Sequence, residues 1–98
     1  MSIIFSEKAR FLGTWVKEND PNDRFVINAD GTCLYNGSLG TWDEKPAINE
    51  NPSELIFTIS GNKTVLWYYQ ISDDYHYLGL FPQSSNPIGN PSKLYVKQ

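Results

Sequence analysis

FLGTW, residues 11–15, is the stretch on which the fold turns. Upstream, residues 6–12 are the only segment with helical character: Ser6 is placed to cap a first turn and Phe5 to pack onto it. Downstream, Gly13 opens a run of alternating residues, 13–18. Further runs follow at 24–29, 32–35, 39–44, 54–60, 64–72, 75–81 and 93–97. Asp30-Gly31, Asn36-Gly37, Gly61-Asn62 and Asp73-Asp74 punctuate them as hairpin turns do. About eight short strands, with a turn signal roughly every 8–12 residues, describe a sandwich or a small barrel. One short helix ahead of such a meander is placed to plug the end of a barrel. The expected fold is all-β: a small, mostly antiparallel barrel of about eight strands forming a single domain over residues 1–98.

The alternation sorts residues into faces. Phe25, Ile27 and Ala29 are expected inside against Arg24, Val26 and Asn28 outside, and Leu55, Phe57 and Ile59 inside against Glu54, Thr58 and Ser60. In the last strand Leu94 and Val96 are expected to face in, with Lys93, Tyr95 and Lys97 facing out. Segments 19–23, 46–53 and 83–92, rich in Asn, Pro, Ser or acid, are expected as loops.

With 98 residues the chain builds one core, and 40% hydrophobic residues including three Trp, six Tyr and five Phe are enough to fill it. A net charge of -3 and scattered Lys and Arg give no reason to expect nucleic acid or an anionic membrane as partner. One Cys excludes an internal disulfide, and with a single His it leaves too few soft ligands for zinc. No cofactor or metal is expected. The start MSIIFSEKAR lacks a basic region followed by a long apolar run, so the chain is expected to be cytoplasmic, and a monomer.

Catalytic chemistry finds little support. Cys33 lies inside the run GTCLY as a small strand residue rather than at a strained turn, where a nucleophilic thiol normally sits. His76 is expected on a strand between Tyr75 and Tyr77. Asp20, Asp23, Asp73 and Asp74 fall in expected turns, where carboxylates accept backbone hydrogen bonds. No catalytic residue is assigned. Trp67, Tyr69, Tyr75 and Tyr77 are the candidate lining of a small apolar ligand, should the barrel be a carrier, although rings on a central strand are also efficient core filler.

The Gly13-x-Trp15 opening resembles the start of lipocalin-type and avidin-like barrels. That resemblance implies a Trp closing the barrel floor, often beneath a basic side chain of the last strand, for which Lys93 or Lys97 is available. Fold does not confer function. A second motif, PIGNP at residues 87–91, bears on activity. Pro87 and Pro91 push Asn86 and Asn90 toward extended backbone, and Gly89 between them is free to adopt positive φ. A stiff, extended segment of this kind enters another protein's cleft at low ordering cost. Together with Gly13-x-Trp15, the sequence Ile88-Gly89-Asn90-Pro91 shortly before the end resembles the staphostatins, bacterial cytoplasmic inhibitors of papain-like cysteine proteases built on small lipocalin-like barrels. They carry Thr-Ser where this chain has Asn90-Pro91, and Pro87 is additional. The resemblance implies Ile88 in an apolar S2 pocket, Gly89 at P1, Asn90 at P1′ and Pro91 at P2′. The expected function is therefore inhibition of a papain-like cysteine protease through residues 83–92. The alternatives are a carrier of a small apolar ligand and an immunity protein to a co-encoded toxin.

Overall fold

The computed structural model describes residues 7–47, 52–60, 63–82 and 90–98. Eight strands close into an antiparallel barrel in which each pairs with its sequence neighbours and the last returns to the first. They are β1 (Gly13–Lys17), β2 (Asp20–Ile27), β3 (Thr32–Tyr35), β4 (Ser38–Lys45), β5 (Glu54–Ile59), β6 (Lys63–Ile71), β7 (Tyr77–Phe81) and β8 (Lys93–Lys97). Closure pairs Val16 with Val96, so none of the described strands is left as an edge. The helical segment is a single 3-10 turn, Glu7–Phe11, and it plugs one end of the barrel. Ser6, the expected cap, lies outside the described residues.

Most of the expected alternation holds. Phe25, Ile27, Leu55 and Phe57 are buried together in the core, and Cys33 is fully buried on β3. Burial pushes the Cys33 thiol above its ordinary value, as it does for an inert structural cysteine.

Four expectations fail. Ala29, expected inside with Phe25 and Ile27, is exposed, because β2 ends at Ile27 and Ala29 lies in the turn that follows. β8 has the opposite parity: Tyr95 is fully buried, and Lys93 and Lys97 share its inward face. Long amphipathic side chains achieve this by lining the wall with their stems while their heads reach the barrel ends. Segment 19–23 is largely strand, since β2 already begins at Asp20, and Asp23 bonds side chains of β8 rather than turn amides. Tyr75 and His76 sit in the β6–β7 turn, not on a strand, with Tyr75 at φ 60°. That left-handed backbone is strained for a bulky residue. It is held by the Ser72 hydroxyl, which accepts from the amides of His76 (3.1 Å) and Tyr77 (3.0 Å). Asp74 does accept a turn hydrogen bond, from the His76 amide at 3.1 Å.

At the plugged end, Trp15 is fully buried and its indole Nε1 donates to the Phe11 carbonyl at 2.8 Å. Lys97 lies over the Trp15 ring, Nζ 5.0 Å from its centroid, and donates to the Arg10 carbonyl at 3.0 Å. Gly13 has φ 128°, and the Lys97 stem passes 3.8 Å from where a β-carbon would stand. The backbone angle therefore requires the glycine of Gly-x-Trp, whereas the lysine stem would meet a β-carbon only at ordinary contact distance. Beside them Tyr69 donates to the buried Glu44 carboxylate at 2.6 Å, and Arg10 donates to the Tyr69 hydroxyl at 3.1 Å. The plug is thus sealed by both apolar and polar contacts.

Candidate partner-binding site

The middle of the barrel is occupied by aromatic rings. Phe25 touches four others, with centroids 4.7 Å away for Tyr95, 5.1 Å for Phe57, 6.1 Å for Tyr35 and 6.5 Å for Trp15. An eight-stranded barrel has an interior only wide enough for side chains to fill it, and here they do.

The four candidate ligand-lining residues are not brought together. Trp67 and Tyr69 point inward from β6, where Trp67 Nε1 reaches the Tyr35 hydroxyl at 3.4 Å and Tyr69 belongs to the Glu44 seal. Tyr75 stands in the turn and Tyr77 on the outer surface, each 46% exposed. Cys33 is sealed inside, while His76 is exposed at a turn with its ring 6.3 Å from that of Tyr77. Among the described residues no cluster of His, Cys, Asp and Glu is arranged to hold a metal ion.

Of the candidate inhibitory motif, Pro87, Ile88 and Gly89 lie outside the described residues, whereas Asn90 and Pro91 are described. Asn90 is exposed. Pro91 rests on the outer face of β7, where a β-carbon on Gly79 would come within 3.0 and 3.1 Å of its ring. A glycine inside a strand marks such close approach. The next residue, Ser92, donates its amide to the Leu80 carbonyl at 3.0 Å.

The following strand is pinned inside the barrel. Lys93 donates to Asp23 at 2.8 Å and stands 5.6 Å over the Trp67 ring, and the Tyr95 hydroxyl donates to the other Asp23 oxygen at 2.7 Å. Burial alone would raise the Asp23 carboxyl, but the hydrogen bonds from Lys93 and Tyr95 outweigh it and hold it below the ordinary range. The same burial, with the Asp23 carboxylate beside it, drives the Tyr95 phenol far above its usual value. The far end of the 83–92 segment is therefore rooted twice, by Pro91 on the outer wall and by Lys93 within.

Sequence reasoning missed the Asp23–Lys93–Tyr95 cluster and the role of Gly79. The second had a signal: a lone glycine between outward Tyr77 and Phe81 in an otherwise bulky strand. The first had none, because Asp23 and Lys93 are 70 residues apart and meet only through barrel closure.

No helix among the described residues is long and apolar enough to cross a membrane. No family model matches the chain, and neither a curated protein nor a solved structure matches it.

Proposed function

We propose that this barrel is a scaffold that inhibits a papain-like cysteine protease in the cytoplasm, with residues 83–92 entering the protease cleft. The filled interior supports this reading best. With Phe25 packed against four rings, binding falls to the outside of the molecule. There the segment that carries Ile88 and Gly89 ends on a rigid base at Pro91 and Lys93. A rooted segment loses less entropy on binding. The Gly13-x-Trp15 floor under Lys97 supports the lipocalin-like half of the resemblance.

In this mechanism Ile88 fills an apolar pocket and Gly89 presents its carbonyl to the nucleophile without being cut. A positive φ at Gly89 turns that carbonyl away from the oxyanion donors, so the tetrahedral intermediate is not stabilised. A β-carbon opposes that backbone by roughly 1–2 kcal/mol.

The test is inhibition of papain and of a panel of bacterial papain-like proteases by the wild type, Ile88→Asp and Gly89→Ala. Ile88→Asp should abolish inhibition, because it drives a charge into an apolar pocket. Gly89→Ala should weaken it or yield a slow substrate cut after residue 89. Neither should change thermal stability. Absence of inhibition by the wild type, or equal inhibition by all three proteins, overturns the proposal.

A further inference from the structure

The reversed parity of β8 has an outward counterpart. Because Lys93 and Lys97 turn in, Leu94 and Val96 turn out, and neither is fully exposed or fully covered. Val96 pairs with Val16 on one side and Tyr77 on the other, so an apolar row crosses β1, β8 and β7 on the outside of the barrel. Next to that row, Gly79 stands between Gln70 and Leu94 across the sheet and between Tyr77 and Phe81 along its own strand. Pro91 covers Gly79, and beside it a hollow of about 220 Å³ opens on this face among Gln70, Tyr77, Phe81, Pro91 and Leu94. Ser72, a lining residue, donates to the Asp74 carboxylate at 2.6 Å, so the turn that carries Asp73 and Asp74 lies next to the hollow without lining it.

We propose that this outer face is a second anchoring site for the same protease, taking one apolar side chain of the enzyme that is flanked by lysine or arginine; it rests on the inhibitory reading of residues 83–92. Size favours a side chain over a free ligand, since pockets for small molecules generally run from about 300 to 1,000 Å³. Tyr77, Phe81, Ile71, Pro91 and Leu94 make most of its wall. Tyr77, 46% exposed at its rim, is of the residue type that most often carries binding energy at protein interfaces. The two turn carboxylates favour a basic neighbourhood on the partner, and both lysines of β8 are directed away from this face. Pro91 joins the hollow to the 83–92 segment, so a protease engaged by that segment lies directly against it.

The probe is papain. Inhibition constants are measured for the wild type, for Ile88→Asp, and for Tyr77→Ala and Leu94→Asp on the outer face, with melting curves to show that all four are folded. Tyr77→Ala and Leu94→Asp should each weaken inhibition about tenfold or more, since removing an interface anchor raises the dissociation constant by that order. The double substitution Asp73→Asn with Asp74→Asn should lessen the sensitivity of inhibition to added salt. If Ile88→Asp abolishes inhibition while both face variants match the wild type, this second site is overturned and the inhibitory segment stands. If the wild type inhibits neither papain nor any protease of the bacterial panel, both fall together. Dimerisation of the free protein in sedimentation, lost in Leu94→Asp, also overturns the proposal, because the face would then be covered by a second copy of the chain.

Discussion

The two ends of this barrel are finished in different ways. At the plugged end, Trp15, Phe11 and the Lys97 stem fill space, and the polar heads nearby satisfy one another or a plug carbonyl. At the opposite end, a carboxylate, an ammonium and a phenol, Asp23, Lys93 and Tyr95, hold the start of β8 where an apolar layer would otherwise close the barrel. The difference shows that the two ends are stabilised by terms of different size and different sensitivity to solution conditions. Burial of a large ring is worth several kcal/mol and is indifferent to pH, whereas a charge-assisted network is worth less and depends on its protonation state.

The largest expected effect is at the plug. Trp15→Ala should cost about 3–5 kcal/mol, measured by chemical denaturation, because it leaves a cavity beneath the plug and an unpaired Phe11 carbonyl. A loss below about 1 kcal/mol would erase the contrast between the two ends.

At the other end Asp23→Ala should cost about 1–3 kcal/mol, the range for leaving buried hydrogen-bonding partners unsatisfied. The lower part of that range is expected, since the Lys93 side chain is 28% exposed and water partly replaces its partner.

The contrast sharpens with pH. The folded Asp23 carboxyl titrates below its ordinary value of 3.8, so its contribution is fully present above that value and is lost as pH falls through the lower, folded one. Acid should therefore destabilise the wild type more steeply than Asp23→Asn. The exposed Asp30 and Asp74, whose carboxyls are also held low by local hydrogen bonds, contribute equally to both proteins and cancel in the comparison. Parallel stability curves for the two proteins down to pH 2 would show that Asp23 is not stabilised by its partners.

The smallest effect separates the lysine head from its stem. Lys97→Met keeps the apolar contact with Gly13 and Trp15 while removing the ammonium, its cation–π contact and its hydrogen bond to the Arg10 carbonyl, and should cost about 1 kcal/mol.

How legible this fold was depends on which kind of information set each feature. Hairpin turns and inward alternation are local properties, and on β2 and β5 they placed Phe25, Ile27, Leu55 and Phe57 inside correctly. β8 was misjudged because alternation gives two faces but not which one is inside. Lysines at both ends of a five-residue strand suggest the outer face, and only barrel closure supplies Asp23 and the Arg10 carbonyl as partners for them. The turn at Tyr75 was missed because nothing local asks a tyrosine to take positive φ; the Ser72 hydroxyl and the register of β7 impose it. The candidate site divides the same way. PIGNP was visible as two prolines around a glycine, but the seat of Pro91 on Gly79 and the pinning of β8 behind it are long-range facts.

Amide hydrogen exchange of the free protein and of its mixture with papain tests the central claim, that the barrel's inside is structural and its outside near residues 83–92 binds the partner. The account predicts that papain slows exchange across residues 83–94 and the turn at Tyr75–Tyr77, and leaves the amides from Arg10 to Trp15 unchanged. Unchanged exchange throughout residues 83–94, or protection confined to the plugged end, would contradict it.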